Sequence, residues 1–398
     1  MTTVPLNGST LGIEEEEAWK RVWKSGRLTM GNECLAFEKA FAEYVGTDHA
    51  VFVNSGSSAN LLAFFALANP RLPLSKGRQP LKPGDEVLVP AVTWSTSVWP
   101  ILQAGAIPVF VDVDPKTLQT DLSRLEEAIS PKTKAICIVH LLGGSCNMDA
   151  LLRFADKHNL WVVEDTCEAL GSRWKGSALG SLGTMGTYSF YFSHHMTTIE
   201  GGMVVTQDEG LADLLRALRA HGWTRHLSKP PELGPRYAGL DPRFCFINMG
   251  FNVRPTEINA VLGLEQLKKL EAFNKQRREI FAVWQKGLER WVRAGHFAVQ
   301  AFEEGVDAAP FAFPIVCATA DGRNALQAHL EGAGVETRPL VCGNLLRQPA
   351  FEFLPYRAPA ALPGADALHE RGLYWGLHPV LTEEEVAYVL EQVDGFYS

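Results

Sequence analysis

A histidine lies in a segment that suits a tight turn at a ligand site. His194 follows the run Tyr188–Phe192, and Glu200-Gly201-Gly202 closes the turn after it. An imidazole exchanges a proton near neutral pH, so His194 can act as a general base or a general acid. A lone histidine is more often a packed or surface residue, and the adjacent His195 would point elsewhere and serve structure.

Two carboxylates end another apolar run. Asp165 and Glu168 lie in Glu164-Asp165-Thr166-Cys167-Glu168-Ala169, at the end of the run Leu160–Glu164. A carboxylate in this place can pair with the protonated nitrogen of a pyridine ring. It can equally cap the helix that follows.

Small polar residues and one tryptophan follow two further runs. Asn54-Ser55-Gly56-Ser57-Ser58-Ala59-Asn60 comes after a short strand and opens a helix, so its backbone N–H groups can bind a phosphate. Ser and Gly cap many helices that bind no ligand. Trp94 follows the strand Glu86–Val89, where an indole can stack on a ring or simply pack.

The elements that position these residues alternate between apolar β-rich runs and helical runs. Strands separated by helices indicate βαβ units and a mainly parallel sheet. Tyr188–Phe192 and Met203–Thr206 are predicted as two further strands around the turn of His194. Thr256–Arg278 has apolar residues at helical spacing and predicts a long helix that leaves the large domain, followed by a smaller α/β lobe.

Composition narrows the class of protein. The 398 residues are 46% hydrophobic and 21% charged, as in an ordinary globular enzyme with a sizeable core. A net charge of -8 without a basic block argues against a nucleic-acid partner. No run has the length of a membrane span and no signal-peptide pattern opens the chain, so we expect a cytoplasmic protein with no membrane association. The seven cysteines are scattered and predict reduced thiols, not a metal site.

From about Gly26 to the last helix, the chain resembles the DegT/DnrJ/EryC1 family of sugar-nucleotide aminotransferases. The family segment reads Ser-Phe, three residues, Lys, and then Glu-Gly-Gly; here Ser189-Phe190 is followed at the lysine position by His194. The resemblance implies an aspartate aminotransferase-like fold (fold type I) that binds pyridoxal 5'-phosphate (PLP). It has a large domain with a mainly parallel mixed sheet and a smaller C-terminal α/β domain. We assign residues 1–30 to an N-terminal helical segment, 31–265 to the large domain and 266–398 to the small domain.

The resemblance also assigns the cofactor site. Asp165 falls at the position of the aspartate that pairs with the ring nitrogen, and Glu168 falls where relatives often carry glutamine and would hold the ring's hydroxyl region or assist proton movement. The remaining residues implied to bind PLP or pyridoxamine 5'-phosphate (PMP) are Gly56, Ser57, Trp94, Ser189 and Asn252.

Other residues are implied to meet the substrate or a second subunit. His221 matches a second histidine position of the family's dehydratases, and Asn252 in Gly-Phe-Asn-Val-Arg matches an asparagine that reaches a neighbour's cofactor phosphate. Both imply a homodimer with shared active sites, although His221 can also be an ordinary helix-terminal residue. Further candidates for substrate binding are Arg225, Arg338 and Asn344.

Histidine in place of lysine decides the expected reaction, because imidazole cannot form the covalent cofactor linkage that lysine forms. The resemblance implies a 3-dehydratase, which removes the 3-hydroxyl of a nucleotide-linked 4-keto-6-deoxy sugar, with GDP-linked 4-keto-6-deoxymannose as substrate and L-glutamate regenerating PMP. His194 would be its acid and base. The alternatives are an iron–sulfur CDP-sugar 3-dehydrase, a sugar-nucleotide aminotransferase and a non-catalytic PLP-binding regulatory protein.

Overall fold

The computed structural model describes residues 3–74, 77–229, 234–237 and 239–398. The helices among them are α1 Ile13–Ser25, α2 Asn32–Val45, α3 Gly56–Leu67, α4 Trp99–Gln103, α5 Leu125–Ala128, α6 Met148–Lys157, α7 Glu209–Arg219, α8 Glu257–Gly287, α9 Glu289–Arg293, α10 Ala320–Gly332, α11 Pro363–Arg371 and α12 Glu383–Tyr397. The strands are β1 His49–Val53, β2 Glu86–Pro90, β3 Ile107–Val111, β4 Thr133–Val139, β5 Trp161–Asp165, β6 Arg173–Trp174, β7 Ser177–Ala178, β8 Met185–Ser189, β9 Gly202–Thr206, β10 Phe297–Val299, β11 Val306–Asp307, β12 Ala312–Cys317, β13 Thr337–Pro339 and β14 Gly372–Gly376.

The central sheet has seven strands in the order β1-β9-β8-β5-β4-β2-β3. The pairs β2–β3, β2–β4, β4–β5 and β5–β8 are parallel, and β9 is antiparallel to both β1 and β8. Strands such as β5 are buried along their whole length, because helices cover both faces of such a sheet. The predicted mainly parallel mixed sheet is therefore confirmed.

The parallel arrangement places the ends of several strands at one edge of the sheet. The carboxyl ends of β1, β2, β5 and β8 lie there, and β9 starts there because Gly202 pairs with both Val53 and Ser189. In open α/β sheets this edge holds the ligand crevice.

A second sheet belongs to the C-terminal lobe. Its antiparallel strands have the order β10-β12-β14-β13. Phe313, Trp375 and Trp284 of α8 pack together in its core. The predicted long helix thus extends beyond Arg278 and ends inside this lobe. The three domain assignments given above remain predictions.

The turn of His194 begins earlier than the sequence indicated. Strand β8 ends at Ser189 instead of continuing to Phe192, and Tyr191 and Phe192 are exposed. Aromatic residues favour strands because their side chains pack against neighbouring residues of the sheet. Tyr191 and Phe192 do not gain this packing, so they do not extend β8.

Within the described residues, no helix combines the length and the apolar character needed to span a membrane.

Candidate active site

A cavity of about 630 Å³ opens at the carboxyl edge of the central sheet. The C-terminal lobe closes one side of it with Phe311, Arg338 and Tyr374. The predicted site residues that line it are Gly56, Ser57, Trp94, Asp165, Glu168, Ser189, His194 and Arg338. Eight of the positions chosen from the sequence therefore meet at one place.

The first wall of the cavity is the start of α3. Ser55 caps this helix by accepting a hydrogen bond from the Ser58 N–H at 3.1 Å. Gly56 lies against Ser189 so closely that a Cβ on residue 56 would come within 2.5 Å of the Ser189 Cβ. The free N–H groups at the start of α3 lie beside the hydroxyls of Ser57 and Ser189, and this combination is suited to a phosphate.

Asp165 is the best-anchored acidic group in the cavity. Its side chain is buried, and its Oδ2 accepts hydrogen bonds from Asn60 Nδ2 at 2.8 Å and from Ser97 Oγ at 2.7 Å. Its Oδ1 accepts a third bond, from the Cys167 N–H at 3.2 Å. These donors fix the carboxylate at the end of β5, where it can meet a cationic ring nitrogen.

Trp94 precedes the 3-10 helix Ser95–Ser97 and lines the cavity. The indole is 58% exposed, so most of its surface is not used in packing within the chain. A structural role in the core is therefore a poor explanation of this residue, and a flat ligand can cover it.

His194 packs in an aromatic corner of the cavity. Its ring lies edge-on to Phe311 with centroids 5.2 Å apart, and edge-on to Tyr191 with centroids 5.9 Å apart. Its Nδ1 is sealed in the protein without a hydrogen-bond partner, which leaves Nε2 as the nitrogen available for proton exchange.

The environment of His194 changes its expected acidity. Burial, followed by the positive charge of Arg277, lowers the pKa of His194 to about 3. This pKa lies below the ordinary value near 6.5 from which the sequence argument started. The imidazole is therefore neutral at physiological pH, and a neutral imidazole can accept a proton.

Glu168 has the opposite character. Its Oε2 accepts a hydrogen bond from the Leu142 N–H at 3.1 Å, and Leu142 has the left-handed φ of 51°. Burial, together with the nearby charge of Asp165, raises the pKa of Glu168 to about 7. A carboxyl group of this kind holds a proton near neutrality and can donate it.

Four predicted residues do not line the cavity of the single chain. His221 and Asn252 are exposed next to each other, because Ala220 and Asn252 form a β-bridge. Arg225 is exposed and its guanidinium carbon lies 5.1 Å from the centroid of the Trp223 ring. Asn344 is buried, caps the 3-10 helix Leu345–Arg347 and donates to Asp366 at 2.8 Å.

The sequence reasoning did not single out several residues that the structure brings to the site. Asn60 and Ser97 hold Asp165, and Phe311 packs on His194. Only Asn60 carried a signal, since it is a polar residue one helical turn after Gly56 on the buried side of α3. His195 is buried and its Nε2 lies 2.9 Å from the Ala309 carbonyl oxygen, away from the cavity.

Ligand groups for a metal ion are not assembled in the described residues. No group of three or more His, Cys, Asp or Glu side chains is placed there to hold one.

The two lobes and the cavity at the sheet edge define an aspartate aminotransferase-like fold of the PLP-dependent type (fold type I), as predicted. The model of the DegT/DnrJ/EryC1/StrS aminotransferase family matches residues 10–394, and the chain belongs to this family. GDP-4-keto-6-deoxy-D-mannose 3-dehydratase of Yersinia pseudotuberculosis is 38% identical to it over 392 residues, which cover 97% of both chains.

Solved structures of similar proteins have the same fold. The E. coli GDP-4-keto-6-deoxy-D-mannose-3-dehydratase with bound hydrated PLP superposes with a TM-score of 0.89 at 36% identity, covering 98% of this chain and 99% of that one. A GDP-4-keto-6-deoxymannose-3-dehydratase with a trapped PLP-glutamate geminal diamine gives a TM-score of 0.88 at 35% identity, with the same coverage.

Proposed function

We propose that this chain is a PLP-dependent sugar-nucleotide 3-dehydratase in which His194 replaces the lysine of the family's aminotransferases. The observation that carries the proposal is the position of His194. It occupies the lysine position of the family motif, and it lines the same cavity as Gly56, Asp165 and Ser189. A site that keeps the cofactor residues but lacks the amine should bind PLP without a covalent link to the protein.

The residues present fit the cofactor at both ends. The start of α3 with Gly56 and Ser57, together with Ser189, suits the phosphate, since a larger residue at position 56 would fill this space. Trp94 offers a face for the ring. Asp165, held by Asn60 and Ser97, would pair with the ring nitrogen.

The mechanism divides between the cofactor and the chain. When bound, PMP supplies an amine that joins the sugar's 4-keto carbon and a ring that accepts and returns electron pairs. Asp165 keeps the ring nitrogen protonated and so maintains this electron-accepting character. His194, whose imidazole is neutral and can accept a proton, would take one from the methylene carbon that joins the amine to the cofactor ring.

Departure of the 3-hydroxyl needs a proton, and we assign the supply of this proton to Glu168. The group lines the cavity and holds its proton near neutrality. The proton joins the leaving oxygen to form water, while the bonding electrons of the C–O bond stay with the oxygen. Hydrolysis then releases a 3-deoxy-4-keto sugar, ammonia and PLP, and glutamate restores PMP as it becomes 2-oxoglutarate.

The finer choice of substrates rests on the relatives. The Yersinia relative is named for GDP-4-keto-6-deoxy-D-mannose, and a structure similar to this chain contains a PLP-glutamate adduct. Arg338 lines the cavity and can bind a diphosphate or the carboxylate of the amino donor. These features support a GDP-sugar and glutamate as the two substrates.

The test is an end-point assay of the purified protein with PLP, glutamate and GDP-4-keto-6-deoxymannose. We expect 2-oxoglutarate, ammonia and a sugar nucleotide that has lost one oxygen atom. His194→Asn should abolish this dehydration while PLP binding, followed by absorbance, survives. A variant with full dehydratase activity would show that His194 is not the base.

The other products separate the alternatives. A 4-amino sugar without ammonia would identify an aminotransferase, and dehydration that requires bound iron and a reductase would identify the iron–sulfur type of dehydrase. Tight binding of a protein partner without turnover of any keto-sugar would favour the regulatory class.

A further inference from the structure

Beneath the His194 turn, α8 buries a positive charge that the proposed mechanism does not use. Arg277 is only 2% exposed, and no ion pair to it is present in the described part of the chain. Burial lowers the pKa of Arg277 to about 9, so the guanidinium is still charged at neutral pH. A buried charge without a carboxylate partner is costly, and its presence calls for an explanation.

The guanidinium donates only to backbone carbonyls. Its Nη1 bonds to the carbonyl oxygen of Phe311 at 2.9 Å and to that of Leu377, and its Nη2 lies 3.5 Å from the carbonyl oxygen of His194. Phe311 directly precedes β12, and Leu377 directly follows β14. Arg277 therefore ties the His194 turn of the large domain to the end of the small sheet.

The same charge acts on several histidines around it. His194 and His195 come from the turn, and His378 comes from the segment after β14. In all three, burial lowers the pKa and the Arg277 charge is the next cause. The other charged or titratable groups that face this turn are His195 and Tyr191 within it, Arg278 of α8, which acts on His195, and the cavity residues Asp165, Cys167, Glu168, Glu200, Arg338 and Tyr374.

We propose that Arg277 is a positioning residue for the base: it fixes the main chain of His194 against Phe311 and Leu377, and its unpaired charge opposes protonation of the imidazole. The inference rests on the proposed role of His194. It adds that Arg277 of α8, which does not line the cavity, helps to keep the imidazole of His194 neutral before it takes a proton.

Two substitutions separate the two parts of this role. Arg277→Gln removes the charge but keeps N–H donors for the carbonyls, whereas Arg277→Lys keeps the charge but loses the planar fork. Arg277→Met is a second charge-free variant. Arg278→Met is the matched control, because Arg278 lies next on the same helix but has Glu271 and Asp307 within ion-pair distance.

The first measurement is the imidazole resonance of His194 in the full-length, ¹³C-histidine-labelled protein, with and without PLP, between about pH 2.5 and pH 6.5, where the titration lies. His194→Asn assigns the signal. We expect Arg277→Gln and Arg277→Met to raise the proton-binding constant of His194 about tenfold, and Arg277→Lys and Arg278→Met to leave it near the wild-type value. Arg277→Gln and Arg277→Met curves that superimpose on the wild-type curve would overturn the electrostatic role.

The second measurement is hydrogen exchange of the peptide that spans the His194 turn. Arg277→Lys and Arg277→Met should speed its exchange while that of the core strand β5 stays unchanged, and Arg278→Met should do neither. Equal acceleration across the whole chain would mean that Arg277 only stabilises the fold. If His194→Asn retained dehydratase activity, the proposed role of His194 as the base would fail, yet these two measurements would still decide the effect of Arg277 on His194.

Discussion

Asn60 Nδ2 donates a hydrogen bond of 2.8 Å to Asp165 Oδ2, and both side chains are buried. Asn60 Oδ1 in turn accepts from Thr187 Oγ1 at 2.6 Å. The chain thus links α3, β5 and β8 through one amide, and the amide orients the carboxylate that faces the cavity. Hydrogen bonds of this kind make a site rigid because each partner is fixed by the next.

Replacing Asn60 should damage both stability and cofactor binding. Asn60→Ala leaves a buried carboxylate with one donor fewer, so we expect the free energy of unfolding to fall by about 1–3 kcal/mol and PLP to bind more weakly. Urea unfolding and PLP titration would measure the two effects. Asn60→Asp keeps an acceptor for Thr187 but puts a second carboxylate beside Asp165, so it should be at least as harmful. Wild-type behaviour of Asn60→Asp would contradict the importance of this hydrogen bond.

The cradle at the start of α3 predicts a steric effect. Gly56→Ala brings a methyl group to within 2.5 Å of the Ser189 Cβ and should weaken PLP binding at least about tenfold, which is about 1.4 kcal/mol. Gly395→Ala is the control, because its Cβ would meet no atom within 4 Å in α12. That change should leave binding unaltered and stabilise the helix slightly. Equal PLP affinity in both variants would argue against this phosphate site.

How much of this could be foreseen differs between fold and site. Apolar runs predicted the sheet, and because parallel strands end at one edge, residues chosen at strand ends meet in one cavity. Arg277 could not be recognised, since nothing local distinguishes it from Arg278; only the fold shows which of the two is buried. The pKa of His194 also depends on tertiary burial, which no motif encodes.

The raised pKa of Glu168 predicts how the rate of dehydration changes at alkaline pH. If its proton is donated to the leaving hydroxyl, the rate of dehydration should fall as the pH rises through the pKa of about 7. Glu168→Gln should lower the rate and remove this pH dependence. The check is the pH profile of kcat, with Glu200→Gln as the control because Glu200 is another cavity carboxylate. An unchanged alkaline limb in Glu168→Gln would assign the limb to another group.

His378 predicts a loss of stability in acid. It is buried, and burial followed by the Arg277 charge lowers its pKa in the folded state to about 4, below the unfolded value of 6.5. The unfolded chain therefore binds more protons between these values, and stability falls as the pH drops from 6.5 towards 4, by up to about 1.4 kcal/mol per pH unit for this residue. His378→Phe should reduce that slope in urea unfolding at several pH values. A slope equal to that of the wild type would contradict the assignment.

The positions of His221 and Asn252 lead to a prediction about the active assembly. Both residues are exposed and lie outside the cavity of their own chain, although the family resemblance assigns them to the site. We propose that they complete the site of a second subunit in a homodimer, since a two-fold interface lets each chain contribute to its partner's cavity.

His194→Asn and Asn252→Ala should then each be inactive alone and regain activity when subunits are mixed, because one site of the hybrid contains only unaltered residues. Mixing His194→Asn with Asp165→Asn is the control: both changes lie in the cavity of one chain, so every site of the hybrid keeps a defect. Failure of the first mixture to recover activity, with hybrids demonstrated by mass, would place Asn252 outside any shared site.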